Sequence, residues 1–221
     1  EGLAIVGESG SGKSVTALTI MRLIRSNSIL KISGNVIYEN EDLLELDESK
    51  LIKIRGKKIS MIFQEPMTSL NPLHNIQKQI TECFEISEKS NKSKCINLLK
   101  EVGIENPEQR LSHYPHQLSG GQRQRVMIAM AIANNPDLLI ADEPTTALDV
   151  TIQKQILDLL DKLRKKYNMS LLLITHDLGI VKDISDRVCV MKQGEIVEQN
   201  NTIKVFNQPD HSLSLIHISE P

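Results

Sequence analysis

Short apolar runs alternate with longer amphipathic segments along most of the chain. The apolar runs are bounded by turns, and they have the length and composition of strands that are buried on both faces of a parallel sheet. They cover residues 3–6, 58–63, 138–141, 170–174 and 187–191. The segments between them carry apolar residues at helical spacing. This alternation predicts an α/β fold with a mostly parallel central sheet.

The helical spacing is clearest in segments that follow these strands. Helices are predicted at 14–24, 76–103 with a break near 89–94, 122–134, 151–167 and 177–184. Weaker strands are predicted at 32–38 and, after a Gln193-Gly194 turn, at 195–199. We expect a loop with a short helix at 41–53 and a proline-containing linker at 105–115. The helical stretch between two strands predicts an inserted helical subdomain, at about 76–134.

A glycine-rich loop follows the first predicted strand. It consists of Gly7, Glu8, Ser9, Gly10, Ser11, Gly12, Lys13 and Ser14, the pattern GxxxxGKS, and Val15 continues into the predicted helix. The glycines let backbone N–H groups point inward at phosphate oxygens, and the helix presents its partial positive end to the same anion. Lys13 can reach the β- and γ-phosphates, and the Ser14 hydroxyl suits Mg²⁺. Strand, loop and helix together predict a phosphate site; a glycine-rich turn that binds nothing is the alternative.

Adjacent carboxylates, Asp142 and Glu143, follow the predicted strand at 138–141. The carboxyl ends of strands are where α/β sheets place their ligands. Asp142 suits the surroundings of Mg²⁺, and Glu143 suits polarising a water molecule; a solvated acidic pair is the alternative. His176 follows the strand at 170–174 and is a candidate for sensing a γ-phosphate. A histidine that merely neighbours a helix cap is the competing interpretation.

A second glycine-containing segment precedes the helix predicted at 122–134. Its residues are Leu118, Ser119, Gly120, Gly121 and Gln122. Ser119 is a good N-cap, and Gln122 lies three residues later, as in a capping box. Taken alone, this helix start would be a weak anion site, by the dipole argument that applies to the phosphate loop.

The loop at 65–75 mixes prolines and asparagines with apolar residues. Met67, Leu70 and Leu73 are its apolar members. This combination predicts a contact surface, because apolar residues in a proline-containing loop are unusual unless they are covered. Packing of the same residues against their own domain is the alternative.

Composition narrows the functional classes. The 221 residues suffice for one domain, and the net charge of −2 gives no electrostatic reason to expect nucleic-acid binding. Aromatic residues are only 3% of the chain, so stacking platforms for single-stranded nucleic acid are scarce. Cys83, Cys95 and Cys189 form no CxxC pair, which argues against a zinc site or a disulfide framework. No apolar run is long enough to span a bilayer, so a membrane role requires a spanning partner.

We also draw one expectation from each end of the sequence. The chain enters a predicted core strand within two residues of Glu1, so we expect further strands upstream of it. Residues 213–221 resemble the translation of a sequencing adapter, and we expect them to be a non-native tail. A native docking strand is the alternative for this tail.

The order of the motifs resembles that of the ATP-binding-cassette (ABC) ATPases. The motifs are GESGSGKS at 7–14, Gln64 after an apolar strand, LSGGQ at 118–122, LLIADE at 138–143, ALD at 147–149 and ITHD at 174–177. FQEPMTSLNPL and ADEPTTALDVTIQ resemble the branch that powers peptide and nickel importers, most closely its tandem ATPases of microcin C and oligopeptide uptake. The resemblance implies a P-loop NTPase fold at 1–212, with a helical subdomain and an antiparallel β subdomain truncated at its N-terminal side.

The resemblance also implies roles for individual residues. Two cassettes would close head to tail on two ATP molecules, with residues 118–122 of one facing the γ-phosphate held by Lys13 of the other and Asp149 at the seam. Glu143 would be the general base, and His176 would contact the γ-phosphate. Gln64 would contact both Mg²⁺ and the attacking water. Ser14, Gln64 and Asp142 form the implied magnesium set.

The same resemblance implies the partners. They are a second cassette, in a separate chain or in the same one, and membrane permease subunits received by the loop at 65–75 and the helical subdomain. A solute-binding protein would act indirectly, and no nucleic acid is expected. The protein would be peripheral, on the cytoplasmic face of the plasma membrane. A non-transport ABC ATPase and a nucleotide-binding fragment without activity remain alternatives.

Overall fold

A computed structural model describes residues 1–24, 32–64, 69–84 and 91–211. Its strands are β1 (Gly2–Val6), β2 (Ile37–Tyr38), β3 (Glu41–Asp42), β4 (Ile59–Ile62), β5 (Leu138–Asp142), β6 (Ser170–Thr175), β7 (Arg187–Lys192) and β8 (Glu195–Asn201). Six strands form one sheet in the order β4-β5-β6-β1-β7-β8, and β2 pairs with β3 in a separate antiparallel sheet. All neighbours in the large sheet are parallel except β7 and β8. The predicted α/β fold with a mostly parallel sheet is confirmed.

The helices of the described residues occupy the connections between these strands. They are α1 (Lys13–Ile20), α2 (Glu48–Ile54), α3 (Ile76–Glu82), α4 (Lys92–Glu101), α5 (Pro107–Arg110), α6 (Gly120–Ala131), α7 (Val150–Tyr167), α8 (Leu178–Ile184) and α9 (Thr202–Asn207), with a 3₁₀ turn at Pro115–Gln117. Several begin where a side chain accepts a hydrogen bond from a backbone N–H of the first turn. Asp47, Asn75, Asn91 and Asp149 do so for α2, α3, α4 and α7.

The register of the parallel strands places their carboxyl ends at one edge of the sheet. Val6 of β1 pairs with Thr175 of β6, and Ile174 of β6 pairs with Asp142 of β5. Ala141 in turn pairs with Ile62 of β4. The residues that follow these four strands therefore lie along a common edge, where ligands of α/β sheets are bound.

Alternate residues of the strands enter two separate apolar layers, because successive side chains of a strand point to opposite faces. Ala4 and Val6 belong to the larger layer, which packs against α3, α4 and α6 to α8. Ile5 belongs to the smaller layer, which contains Ala17 of α1 and Leu51 of α2. The sheet is thus covered on both faces, as the continuous apolar runs predict.

The strand predicted at 32–38 is mostly wrong, because only Ile37 and Tyr38 pair with another strand. The Asp42 side chain accepts hydrogen bonds from the backbone N–H groups of Val36 and Leu44, at 3.0 Å each. The two N–H groups are thus bound by a side chain, while the Val36 carbonyl accepts the Leu43 N–H at 2.8 Å. Gly34, at φ 99°, adds a turn that an extended strand would not contain.

Helix boundaries differ from the predictions where capping or a left-handed residue intervenes. The helix predicted to reach residue 24 ends at Ile20, and Arg22 has a φ of 47°. α6 begins at Gly120, two residues before the prediction, because Ser119 caps it. The linker predicted at 105–115 contains α5, which starts with Pro107 at its first position, where proline is favoured. α9 was not predicted.

Other expectations concern residues outside the described ranges. Met67 and the tail at 213–221 fall there, as do residues 89–90 of the break predicted near 89–94. Residues 92–94 of that break are helical, as the first turn of α4. The extent of the helical subdomain, at about 76–134, stays a prediction. Within the described residues, no helix combines the length and the apolar character that crossing a membrane requires.

Candidate functional site

The glycine-rich loop is closed around the ammonium group of Lys13. Lys13 Nζ donates hydrogen bonds to the carbonyl oxygens of Gly7, at 2.7 Å, and Glu8, at 2.9 Å. Lys13 is only 4% exposed. Burial lowers its pKa, and the nearby carboxylates of Glu143 and Asp142 act in the opposite direction. A buried cation therefore lies at the tip of β1 with two carboxylates close enough to act on it.

Glycine is required at both ends of this loop for different reasons. A Cβ at Gly7 would lie 2.2 Å from the carbonyl oxygen of Met191, so the backbone of β7 leaves no room for a side chain. Gly12 precedes α1 with a φ of 101°, in the left-handed region that glycine enters at little cost. The loop can thus lie against β7 and still turn into the helix.

The loop contains a buried hydroxyl, that of Ser11. Ser11 is 3% exposed, and among the described residues its Oγ has no hydrogen-bond partner. The Ser11 backbone is held, since its N–H donates to the Glu8 carbonyl and its own carbonyl accepts from Gly194. An unsatisfied buried hydroxyl is costly, so it indicates an external acceptor such as a phosphate oxygen.

The start of α1 is hydrogen-bonded to the end of β5. Ser14 Oγ donates to Asp142 Oδ1 at 2.9 Å. Burial raises the pKa of Asp142, whereas the hydrogen bond from Ser14 lowers it and the charge of Glu143 raises it further. A hydroxyl and a carboxylate are the hard oxygen ligands that Mg²⁺ prefers. The residues present therefore fit this ion.

Glu143 lies at the centre of a group of polar side chains. Its Oε2 accepts hydrogen bonds from Gln64 Nε2, at 3.0 Å, and from Thr146 Oγ1, at 2.9 Å. Its Oε1 lies 3.5 Å from Nδ1 of His176. The Glu143 side chain is 13% exposed, and the His176 side chain is 63% exposed. Glu143 also has a φ of 45°, which is uncommon outside glycine and is found where a site constrains the backbone.

The predicted residues at the strand ends are therefore brought together. Lys13 and Ser14 follow β1, and Gln64 follows β4. Asp142 ends β5 and Glu143 comes directly after it, whereas His176 follows β6. Glu8, Ser9, Gly10 and Val15 are exposed beside them. This side of the site is open to solvent and can admit a large ligand.

Residues 118–122 form a separate part of the surface. Ser119 and Gln122 complete the predicted capping box, with Gln122 Oε1 accepting from the Ser119 N–H at 3.0 Å and Ser119 Oγ accepting from the Gln122 N–H at 3.3 Å. Leu118 is buried. In the described part of the chain, no hydrogen bond or ion pair joins these residues to the phosphate loop.

The turn after Glu143, which leads from β5 to α7, lies next to the start of α6. A Cβ at Gly120 would lie 3.5 Å from Leu148, and one at Gly121 would lie 3.0 Å from Ile152. Asp149, which is exposed, caps α7 by accepting from the Ile152 N–H at 3.0 Å. The missing side chain of Gly121 therefore allows α6 to approach α7 closely, whereas the space at Gly120 would accept a Cβ in ordinary contact with the turn.

Thr146 contacts Glu143, although the sequence patterns did not predict it as a site residue. Its hydroxyl reaches the same carboxylate oxygen as Gln64. The signal available in the sequence is a hydroxyl three residues after a candidate base, within a turn that begins at Pro144. Threonine is common in turns, so this spacing has little meaning until the turn conformation is known.

Comparisons with known proteins place these features in one family. The sequence profile of the family described as ABC transporter matches residues 1–146. A peptidoglycan transport ATP-binding protein of Agrobacterium fabrum is 56% identical over 96% of this chain and 40% of its own length. The oligopeptide transport ATP-binding protein OppD of Bacillus subtilis is 54% identical over 96% of this chain and 60% of its own length. The chain thus spans about half the length of these curated relatives.

A solved structure agrees with the sequence comparison. A dimeric ATP-binding cassette, determined in a post-hydrolysis state with ADP and phosphate, has a TM-score of 0.77 to this chain. It is 32% identical, and the match covers 91% of this chain and 85% of that one. The likeness therefore extends over most of both folds.

Proposed function

We propose, from the premise that this chain belongs to the ABC transporter family and has its P-loop cassette fold, that it binds ATP with Mg²⁺ and hydrolyses it. The observation that carries the proposal is the convergence of the buried Lys13 and the carboxylates Asp142 and Glu143 at one edge of the sheet. A positive group that can bind a triphosphate thus lies beside a carboxylate that can accept a proton.

Binding of the triphosphate is assigned to the loop from Gly7 to Ser14. The backbone N–H groups and the Lys13 ammonium would contact phosphate oxygens, and the orphaned Ser11 hydroxyl would gain a partner. Ser14, Asp142 and Gln64 would hold Mg²⁺. The ion, when bound, would neutralise charge that develops on the β- and γ-phosphates.

Hydrolysis is assigned to three side chains around the γ-phosphate position. Glu143 would accept the proton of the attacking water, which needs a carboxylate within hydrogen-bond reach of that water. His176, 3.5 Å from Glu143, would contact the γ-phosphate. Gln64, which donates to Glu143 in this structure, would turn towards water and the ion.

A second cassette is proposed to complete each site. Ser119 is exposed at the start of α6, and Gly120 and Gly121 leave its backbone N–H groups accessible to an anion. The absence of a hydrogen bond from this part of the described chain to its own phosphate loop supports a role towards a second cassette. Asp149, exposed on the neighbouring turn, would lie at the seam. The partner would be an identical or different cassette, in another chain or in the same one.

Membrane permease subunits are the other proposed partners. A cavity of about 450 Å³ lies between β4 and the helical subdomain, lined by apolar residues that include Phe63, Phe84, Met127 and Met130. Phe63 is 41% exposed and Leu73 is 82% exposed, whereas Leu70 is buried against its own domain. The cavity and Leu73 support docking of a permease segment, which would place the protein on the cytoplasmic face of the membrane.

The proposed transport process is import of peptides or a related small solute. The relatives' names, which specify oligopeptide or peptidoglycan transport, support this cargo class. A solute-binding protein would deliver the cargo to the permease. Closure of the two cassettes on ATP, and opening after hydrolysis, would shift the permease between two states.

The test is the Glu143→Gln variant in the longest open reading frame that contains this sequence. Glutamine preserves the size of the side chain but cannot act as a base, so we expect turnover of ATP to fall roughly a hundredfold or more. ATP should still bind, and the variant should accumulate as a closed dimer on size-exclusion chromatography.

The exposed surface variant Lys204→Ala, on α9, serves as the control and should keep the parental turnover. Unchanged turnover in Glu143→Gln would contradict the assignment of the base. Retention of DNA or ribosomes by the unmodified protein would instead favour a non-transport ATPase.

A further inference from the structure

We propose that Thr146 is a positioning residue for Glu143, fixing one carboxylate oxygen so that the other, Oε1, receives the proton of the attacking water. The inference rests on the proposed function, because it assigns a task to the residue beside the proposed base. Thr146 itself would touch neither ATP nor water.

The contacts of the carboxylate distinguish its two oxygens. Oε2 accepts hydrogen bonds from Gln64 and from Thr146, at 3.0 Å and 2.9 Å. A carboxylate oxygen offers about two lone-pair sites, so two donors leave Oε2 with little capacity for a water. Oε1 lies 3.5 Å from His176 Nδ1, beyond the usual hydrogen-bond range. Among the described residues Oε1 has no donor within that range, and Thr146 still occupies one site of Oε2 when Gln64 turns away, so Oε1 is the less encumbered oxygen to act as the base.

The backbone around Thr146 is held on both sides. The Thr146 N–H donates to the Glu143 carbonyl at 3.2 Å, which closes the turn directly after the base. Gln153 Nε2 of α7 donates to the carbonyl oxygens of Thr145, at 3.4 Å, and Leu148, at 3.0 Å. Ala147 has a φ of 62° within the same turn. The hydroxyl is thus carried by a constrained segment, which is what a positioning contact requires.

The two donors to Oε2 differ in what else they are expected to do. Gln64 is exposed, and its proposed role takes it towards the ion and the water when nucleotide is bound. Thr146 is half-buried in the turn and has no such alternative assignment. Thr146 is therefore the donor expected to stay with the carboxylate during hydrolysis.

The turn also connects the base with the helix start at 119–122. The Leu148 side chain, two residues after Thr146, lies beside this helix start: its Cδ2 is 3.5 Å from the point that a Cβ on Gly120 would occupy. A displacement of this helix start, such as docking of a second cassette would impose, would act on the turn and through Thr146 on the carboxylate. This arrangement gives the base a physical link to the surface proposed to meet the other cassette.

The test compares Thr146→Val with Thr146→Ser in the longest open reading frame that contains this sequence. Valine preserves the shape of threonine but cannot donate, so we expect kcat for ATP hydrolysis to fall about tenfold or more, because a misoriented base loses rate steeply. KM for ATP should stay within about twofold, since the phosphate loop is unchanged. Serine keeps the hydroxyl and should restore kcat to within about twofold of the parent.

The matched control is Thr81→Val, on an exposed face of α3. Thr81 Oγ1 donates to the Lys78 carbonyl at 2.8 Å, so this variant loses one threonine hydrogen bond far from Glu143. Its kcat should equal that of the parent. Equal kcat values for Thr146→Val and the parent would overturn the inference while leaving the proposed function intact.

A second measurement separates positioning from damage to the turn. In a Glu143→Gln background the base is already absent, so Thr146→Val should not reduce the ATP-dependent dimer seen on size-exclusion chromatography. Loss of that dimer would assign Thr146 a purely structural role and overturn the inference. No ATP turnover by the unmodified protein would overturn the proposed function itself, and this inference with it.

Discussion

Individual residues of the phosphate loop are constrained by backbone atoms that approach them closely. Gly7 lies under the Met191 carbonyl of β7, whereas a Cβ at Gly10 would meet nothing within 4 Å. Gly10 nevertheless has a φ of 80°, which side chains disfavour. Glycine is therefore needed at position 7 because a side chain would not fit, and at position 10 because of the backbone conformation.

Alanine substitutions at Gly7 and Gly10 are predicted to have different costs. Gly7→Ala places a Cβ against backbone that cannot rotate away, so we expect destabilisation of about 1–3 kcal/mol and impaired nucleotide binding. Gly10→Ala meets only conformational strain, and we expect a cost of about 1 kcal/mol. Urea unfolding of both variants measures the difference. A Gly7→Ala variant as stable as Gly10→Ala would show that β7 moves to accommodate the side chain.

Elements that meet at the amino edge of the sheet are joined through Asp186, the residue directly before β7. Its Oδ2 accepts a hydrogen bond from the Gly2 N–H of β1 at 2.6 Å and one from Arg164 of α7 at 3.2 Å. The bond from Gly2 is the main cause that lowers the pKa of Asp186, and the charge of Arg164 contributes in the same direction. A single carboxylate therefore connects two neighbouring strands and the helix that covers them.

The Asp186→Asn variant is predicted to be less stable than the parent only where Asp186 is charged. A carboxylate with a lowered folded pKa contributes stability above its unfolded value of about 3.9 and loses it as pH falls through the folded value. We expect a difference below about 1 kcal/mol at pH 7, because the side chain is 56% exposed. In thermal unfolding the difference should begin to shrink as pH falls below about 4, and it should vanish only below the lowered folded pKa.

Asp183→Asn is the control for this prediction. Asp183 is an exposed carboxylate of α8 and, in the part of the chain that the structure describes, has no hydrogen-bond or ion-pair partner. Its substitution should change stability by less than Asp186→Asn does at pH 7. Equal effects of the two variants would indicate general surface charge rather than the Gly2 contact.

Across the molecule, the phosphate loop lies between β1, which contributes to both apolar layers, and α1, which contributes to one. β1 contributes Ala4 and Val6 to one layer and Ile5 to the other, and α1 packs its Ala17 into the second. A ligand that holds the loop is therefore coupled to the packing of the whole sheet. Binding to the folded state alone should raise the unfolding temperature by mass action.

ATP with Mg²⁺ is predicted to stabilise the protein against heat. At a concentration about 100 times Kd, binding adds about 2.7 kcal/mol. In a domain of this size each kcal/mol shifts Tm by roughly 2–4 °C, so we expect a rise of about 5–10 °C. Lys13→Ala should abolish the shift in differential scanning fluorimetry. The control Lys58→Ala, which removes an exposed ion pair with Asp137, should keep it.

Periodicity and motif order were sufficient to predict the parallel strands, the major helices and the phosphate loop. These features depend on residues that are close in sequence. The fixed positions of the glycine-rich loop and the apolar run before it lie within a short segment, so their pattern can be recognised in the sequence itself. Ser119 and Gln122 are an example, because a capping box is a contact across three residues.

Contacts between distant segments required the folded chain. The strand order brings Gln64 to Glu143 across 79 positions of sequence and Ser14 to Asp142 across 128. The predicted strand at 32–38 was mostly wrong because the Asp42 side chain, rather than a backbone carbonyl, accepts the Val36 N–H. Thr146 likewise could be identified as a site residue only from the folded turn, in which its hydroxyl donates to Oε2 of Glu143. Local patterns specify which elements form, whereas the register of the sheet specifies which side chains meet, because register depends on packing over the whole core.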